Sequence, residues 1–110
     1  MTKQSEVRLN AVFSALADPT RRAILEALSA GHAHVSELAE PFDMSLPAIS
    51  KHLRILEEAG LVVRERDGRI HRMHLQSKPL KDAAAWLDHY RNFWNARLDA
   101  LDTFLSKTKK

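Results

Sequence analysis

The feature of the sequence that most constrains the fold is a change of hydrophobic period at Gly60. Before Gly60, apolar residues recur every three or four positions, which is typical of amphipathic helices. After it, residues 61–75 take a strand-like period on both sides of Asp67-Gly68, a dipeptide that favours a tight hairpin turn. The chain therefore predicts a set of helices followed by a β-hairpin.

The first two helices are delimited by residues with clear conformational preferences. Apolar residues at helical spacing predict a first helix over about residues 5–17. Asp18-Pro19 begins the second, because Asp caps free backbone N–H groups and Pro fits the first helical position. Gly31 ends it, since glycine readily takes the left-handed conformation found after helices.

Two further helices precede the hairpin. A short third helix is predicted over about residues 35–41, where Glu37 is placed to reach back to the backbone of His34 as in a capping box. Ser45 is a good N-cap for a fourth helix over residues 46–59. The short connection between these two helices indicates a helix-turn-helix.

The complete element order is α-α-α-α-β-β-α, with a last helix over about residues 79–105. This is a mainly α fold with a two-stranded hairpin. A short helix, a tight turn, a second helix and a basic hairpin together make a winged helix-turn-helix. Because 110 residues is the size of one domain, residues 1–110 are predicted to form a single DNA-binding domain with N- and C-terminal dimerisation helices.

Composition narrows the class of protein. The formal net charge of +3 fits a polyanionic partner without requiring one. The absence of cysteine excludes disulfides, thiolate metal sites and cysteine nucleophiles. No apolar run approaches the roughly 20 residues of a membrane span. Residues 1–6 lack the apolar core of a signal peptide, so a cytoplasmic protein that does not enter a membrane is expected.

Neither an enzyme nor a metal site is predicted. The chain has no glycine-rich phosphate loop, nucleophile elbow or metalloprotease motif. His71 and His74 lie three apart in a strand and so point to opposite faces. His32 and His34 share a loop but lack a nearby third ligand. We therefore expect no cofactor and no bound metal.

The fourth helix and the hairpin carry the features of a DNA-binding surface. Ile49 and Leu53 share one helix face, and the opposite face carries small, hydroxylated and basic side chains that suit the major groove. Arginines cluster around the hairpin turn, where they can reach phosphates or a narrow minor groove. The residues predicted to contact DNA are Ser45, Pro47, Ala48, Ser50, Lys51, His52, Arg54, Arg64, Arg66 and Arg69. The alternatives are a solvated amphipathic helix and an edge hairpin kept soluble by its charge.

The last helix has more apolar surface than one face can bury. One stripe includes Leu80, Ala84 and Leu87, and an adjoining stripe is aromatic. A domain of this size has little left to cover both, so one face is predicted to cover the domain and the other to meet a second copy. The residues predicted to dimerise are Leu9, Phe13, Trp86, Tyr90, Phe93, Trp94, Leu98 and Leu101. An unusually wide intramolecular face is the alternative.

Five segments form a pattern that spans nearly the whole chain. They are residues 16–22 (LADPTRR), 35–39 (VSELA), 44–53 (MSLPAISKHL), 56–62 (LEEAGLV) and the turn Asp67-Gly68-Arg69. In this order they resemble the ArsR-type family of winged helix-turn-helix repressors. The resemblance implies a homodimer that reads operator DNA with its fourth helix and dimerises through its first and last helices.

The resemblance also implies an unusual mode of sensing. Family members that sense thiophilic metals often use cysteines near the third helix, and the matching positions here look like His34, Ser36 and Ala39. Another sensor site of the family uses acidic and histidine ligands on the last helix, which here has only His89. The chain thus resembles a member without the usual metal and redox sensors. Its inducer is unidentified.

The predicted function is sequence-specific transcriptional regulation, by a homodimeric repressor that binds an inverted-repeat operator in double-stranded DNA. Two alternatives share parts of this pattern. An architectural DNA-binding module would use the same contacts without regulatory switching. A winged-helix protein–protein adaptor would use the scaffold and the apolar last helix without binding DNA.

Overall fold

The order of helices and strands follows the sequence prediction, with one short strand added. The computed structural model describes residues 3–108, so the four terminal residues of the predicted domain lie outside it. Its elements are α1 (Lys3–Leu16), α2 (Pro19–Leu28), β1 (Ala33–His34), α3 (Val35–Ala39), α4 (Leu46–Glu58), β2 (Val62–Asp67), β3 (Ile70–Leu75) and α5 (Lys78–Thr108). The predicted winged helix-turn-helix is confirmed.

The predicted capping residues lie where their helices begin. Oδ2 of Asp18 accepts a hydrogen bond from the backbone N–H of Arg21 at 3.0 Å, and a proline follows this cap in the first turn. Oγ of Ser45 accepts from a backbone N–H in the first turn of α4 at 3.3 Å. The backbone N–H of His34 donates to Oε1 of Glu37 at 3.0 Å, the reach-back bond expected of a capping box. Local side-chain chemistry therefore sets the start of α2, α3 and α4.

The hairpin turn lies one residue later than the sequence predicts. Asp67 pairs with Ile70 across the hairpin, so the two-residue loop is Gly68-Arg69. Gly68 has a φ of 62°, whereas no residue other than glycine in the described chain has a positive φ. This is the pattern of a type II′ turn, which needs glycine only at its first central position. Arg69 consequently lies in the turn itself.

Strand β1 converts the predicted hairpin into a three-stranded antiparallel sheet of order β1-β3-β2. Ala33 pairs with Met73 and His34 with Arg72. A strand of two residues is too short to leave a periodic signal in the sequence. Because α3 starts at the residue after β1, the sheet connects the helix-turn-helix directly to the hairpin.

The core lies where α1 to α4 meet the inner face of the sheet. The predicted buried face of α4 is confirmed, since Ile49, Leu53 and Leu56 are fully buried. The other largest fully buried side chains are Ile24, Leu28, Leu61 and Met73. Every element from α1 to β3 contributes apolar side chains to this one cluster, and β1 does so through the half-buried Ala33.

Helix α5 is attached to this core only by its first three turns. Pro79, Leu80, Ala83 and Trp86 are the buried or half-buried apolar residues there, and every described side chain after Trp86 is exposed. The prediction that one whole face of this helix covers the domain is wrong. Ala84 and Leu87 are already exposed, because the domain ends before a complete stripe can pack on it. No helix within residues 3–108 has the length and apolar character of a membrane span.

Candidate nucleic-acid interface

One face of α4 presents three of the ten side chains that the sequence predicts for DNA contact. Pro47, Lys51 and Arg54 are exposed at positions i, i+4 and i+7, so they form one stripe, which we call the reading face. Ala48 and Ser50 are half-buried. Neither Lys51 nor Arg54 forms an ion pair or side-chain hydrogen bond with the described residues. Both cations are therefore available to an external anion or base edge.

The leading end of α4 adds two apolar side chains that the sequence prediction missed. Met44 and Leu46 are 41% and 56% exposed on either side of the N-cap Ser45. Exposed apolar groups at the start of such a helix can contact thymine methyl groups. Both residues come just before the apolar positions of α4 that are buried, Ile49 and Leu53. This position at the start of the helix could have identified them from the sequence.

His52 is turned into the protein rather than toward the reading face. Its side chain is 18% exposed, and Nδ1 lies 3.8 Å from Oδ2 of Asp18. Nη1 of Arg21 lies 3.2 Å from the same nitrogen. Since arginine has only donors, Nδ1 of His52 accepts this bond. The sequence prediction placed His52 among the DNA contacts. In the structure, its side chain instead connects α4 to the start of α2.

Arg21 extends this network to α1. Its Nε donates to the carbonyl oxygen of Ala15 at 2.7 Å, and its Nη2 to that of Ser14 at 3.1 Å. Both carbonyls belong to the last turn of α1, where the helix leaves acceptors free for other donors, and that of Ser14 also accepts from the backbone N–H of Ala17 at 3.2 Å. The backbone hydrogen bond from Arg21 lowers the pKa of Asp18 below its ordinary value against the opposing effect of burial, and the positive charge of Arg21 lowers it further. The network ties α1, α2 and α4 together, so it fixes the direction of the reading face.

The wing, formed by β2, the turn and β3, presents two of its predicted arginines at the tip. Arg66 and Arg69 are exposed, and neither forms an ion pair or side-chain hydrogen bond with the described residues. Arg64 is different, because its side chain is only 19% exposed. Alternate strand residues share a face, and Val62 on the same face as Arg64 is buried.

The guanidinium of Arg64 is bound within the protein. Its Nη2 and Nε lie 2.7 and 3.1 Å from Oε1 of Glu57 at the end of α4. Its Nη1 lies 2.7 Å from Nδ1 of His71 on β3. The sequence prediction counted Arg64 among the DNA contacts, and the structure instead directs it toward the recognition helix.

The outer face of the sheet holds several histidines and acidic residues. Nε2 of His74 lies 2.9 Å from Oε2 of Glu65, and the rings of His32 and His74 have centroids 5.4 Å apart. Within residues 3–108, no group of three or more His, Asp or Glu is arranged to hold a metal ion.

The dimerisation candidates fall into two groups. Leu9 and Phe13 of α1 are half-buried, and the Phe13 ring meets Trp86 edge-on with centroids 5.7 Å apart. Trp86 in turn stacks on Tyr90 at 4.9 Å. The second group lies beyond the domain and is exposed by 44–50%: Tyr90, Phe93, Trp94, Leu98 and Leu101. The same part of α5 also exposes Leu87, Phe104 and Leu105 by 47–62%, which the sequence prediction did not include. The first group thus packs against the domain, whereas the second projects from it.

The chain is similar to proteins of a known class. Residues 16–65 match a family model described as a helix-turn-helix domain. The transcriptional repressor SdpR of Bacillus subtilis is 38% identical over 84 residues, which are 76% of this chain and 93% of that protein.

Solved structures give the same result. The crystal structure of an ArsR family transcriptional regulator is 44% identical with a TM-score of 0.78, and the match covers 82% of this chain and 93% of that one. An ArsR-like transcriptional regulator from a Rhodococcus species is 34% identical with a TM-score of 0.75, covering 92% and 95% of the two chains. The likeness therefore extends over the winged helix-turn-helix and into α5.

Proposed function

Because the chain belongs to the ArsR-type family of winged helix-turn-helix transcriptional regulators, we propose that it works as a homodimeric repressor that reads an inverted-repeat operator. It is a DNA-binding transcriptional regulator, and the proposal concerns its contacts and its assembly. The observation that carries it is a set of four cations on the reading face and at the wing tip that have no partner among residues 3–108: Lys51, Arg54, Arg66 and Arg69.

The reading face has the chemistry to contact base edges. Lys51 and Arg54 can donate to guanine O6 and N7 or to a phosphate. Pro47 and Ala48 are small enough to let the helix approach the groove closely, and the hydroxyl of Ser50 can donate to or accept from a base. Ser45 lies at the leading end of α4, where residues of such helices meet base edges.

The wing tip is suited to the DNA backbone rather than to bases. Arg66 is the penultimate residue of β2 and Arg69 lies in the turn, so both are carried at the far end of the hairpin. Arginines in this setting neutralise phosphates and release counterions, which strengthens binding to any duplex. We therefore assign sequence reading to α4 and general affinity to the wing.

The homodimer is proposed from the apolar part of α5 that leaves the domain. Eight large side chains there are 44–62% exposed. Burying such side chains stabilises an assembly by about 1.5–3 kcal/mol each at full burial. A two-fold partner covers the same residues on both subunits, and it places two recognition helices roughly 34–36 Å apart, on successive major grooves. The operator is then an inverted repeat.

The other expectations follow from this proposal. The relatives named above are transcriptional regulators, so we propose no catalytic activity for the chain. We propose that residues 1–110 act as a single DNA-binding unit in the cytoplasm. We propose that an inducer releases the protein from its operator.

The test begins with selection of operator duplexes from a random pool by the full-length chain. We expect an enriched inverted repeat, and binding without enrichment would instead indicate an architectural protein. Lys51→Ala and Arg54→Ala should then weaken operator binding by about 1–3 kcal/mol each if they contact bases. Lys81→Ala with Lys107→Ala, on α5, is the control with the same change of charge. Normal operator affinity of the Lys51→Ala/Arg54→Ala protein would reject α4 as the reading element.

A further inference from the structure

The wing is held against the recognition helix by three side chains, which we call the wing clamp. Glu57 lies in the last turn of α4, Arg64 is the third residue of β2, and His71 is the second residue of β3. Two nitrogens of Arg64 lie 2.7 and 3.1 Å from the same oxygen of Glu57. Since arginine only donates, Nδ1 of His71 accepts the third bond, at 2.7 Å. One guanidinium thus connects three elements.

Glu57 lies at an unfavourable end of the helix for its charge. The C-terminus of a helix carries a partial negative charge, and the last turn of α4 holds no basic residue. Arg64 offsets this repulsion by facing the carboxylate with two N–H groups. The Glu57 and Arg64 side chains are only 30% and 19% exposed, so the pair is screened less than a surface ion pair. The clamp therefore restrains the wing more than an exposed pair would.

We propose that Glu57 is a positioning residue for DNA binding, because it fixes the wing tip relative to the reading face of α4. The strand runs from Arg64 to Arg66 in two residues, which is roughly 7 Å. The direction of the wing tip therefore follows the position of Arg64. This inference rests on the proposed function, and it means that an acidic residue supports binding to a polyanion.

Glu57→Ala is the decisive variant, because charge and clamp predict opposite results. Removal of an acidic side chain makes the protein more positive, so electrostatics alone predicts tighter DNA binding. Removal of the clamp predicts weaker binding, since a displaced wing reaches fewer phosphates. Glu58→Ala is the matched control, because Glu58 is the adjacent exposed acid and forms no ion pair among the described residues.

Binding of the full-length chain to a selected operator duplex is measured by fluorescence anisotropy over a series of salt concentrations. Glu57→Ala should weaken binding about tenfold, and the salt slope should fall by roughly one unit for each phosphate that the wing no longer reaches. Glu58→Ala should bind as well as the wild type or more tightly. Arg64→Ala should weaken binding more than Glu57→Ala, because it removes the clamp and also a positive charge, and the Glu57→Ala/Arg64→Ala double variant should lie between the two.

Several outcomes would overturn the inference. If Glu57→Ala behaves like Glu58→Ala, the clamp does not position the wing, and the proposed function still stands. If Arg64→Ala lowers the salt slope and Glu57→Ala leaves it unchanged, Arg64 contacts DNA directly. A wild-type chain that selects no duplex would reject the proposed function itself. Circular dichroism checks folding, and Glu57→Gln, which keeps a neutral acceptor, replaces Glu57→Ala if that variant does not fold.

Discussion

The winged head, residues 3–86, and the α5 arm, residues 87–107, differ in how far they bury their apolar side chains. The head places leucine, isoleucine and methionine side chains in one closed cluster. The arm exposes every described side chain, among them Phe93 and Trp94, which are 48% and 44% exposed. The head thus buries its apolar side chains within one chain, whereas the arm leaves its apolar side chains exposed, and the proposed dimer would cover them.

The largest effect is expected from a charge placed on the arm. Phe93→Asp removes one large apolar side chain from each subunit, about 1.5–3 kcal/mol per copy, so the dimer dissociation constant should rise at least about a hundredfold. Sedimentation of the full-length chain at micromolar concentration measures this. Asn95→Asp is the control, because it adds the same charge on another side of the helix. A dimer that tolerates Phe93→Asp, or a folded wild-type monomer, would show that the arm is not the interface.

The same Phe93→Asp variant also tests whether the head is independent. The head residues do not depend on Phe93 for burial, so we expect the helical content of residues 3–86 to survive. Operator affinity should fall together with dimer content, since two linked recognition helices bind successive grooves. Disappearance of all cooperative unfolding in Phe93→Asp would break the distinction between head and arm.

A smaller effect is expected from the head's own cations at the wing tip. Arg66→Ala and Arg69→Ala should weaken specific and non-specific DNA binding to similar degrees, because we assign both arginines to phosphates. Each substitution should lower the salt slope by roughly one unit, without a change in dimer content. Titration of operator and unrelated duplexes over a range of salt concentrations measures both. An unchanged slope would mean that the wing tip stays in solvent, and Lys81→Ala on α5 controls for the change of charge alone.

The smallest effect is expected within the head, at the cap of α2. Asp18→Ala should lower the free energy of unfolding by about 0.5–2 kcal/mol, since it removes an N-cap acceptor. Asp18→Asn keeps an acceptor but removes the charge. Thermal and denaturant unfolding measure both variants, and neither substitution should change dimer formation by the arm.

The lowered pKa of Asp18 gives this prediction a pH dependence. A carboxyl with a lowered folded-state pKa contributes stability that is complete above its ordinary pKa. That contribution disappears as the pH falls through the lowered value. The stability difference between wild type and Asp18→Asn should therefore shrink on acidification. A difference that stays constant between pH 7 and about pH 3 would contradict this assignment.

The sequence predicts the elements with strong local signals. The buried face of α4 and its N-cap Ser45 are confirmed, because helical period and capping are properties of neighbouring residues. Strand β1 is not predicted, since two residues form a strand only when a distant segment, here around Arg72 and Met73, pairs with them. The turn is predicted one residue too early, because glycine suits two positions in such turns. Gly68 fits the second central position of a type I′ turn, as predicted, and the first central position of a type II′ turn, as found.

The candidate site is predicted less completely than the fold. In the sequence, Arg64 is one of several arginines near the turn. The direction of its side chain depends on which face of β2 packs against the core. The burial of Val62 two residues earlier decides this, and no sequence pattern fixes it. His52 is ambiguous for a similar reason, because its partners Asp18 and Arg21 lie about thirty residues away along the chain. Long-range partners are what the sequence alone does not supply.

The attachment of α5 through its first three turns has a mechanical consequence. From Trp86 to the last described residue, the helix extends about 33 Å at 1.5 Å per residue. A lever of that length converts a tilt of about 5° at its base into a displacement of roughly 3 Å at its tip. When two such levers are joined in a dimer, a small change in how Leu80, Ala83 and Trp86 seat on the head alters the separation of the two reading faces. In the proposed dimer, we therefore expect the packing at the base of α5 to influence the distance between the two reading faces.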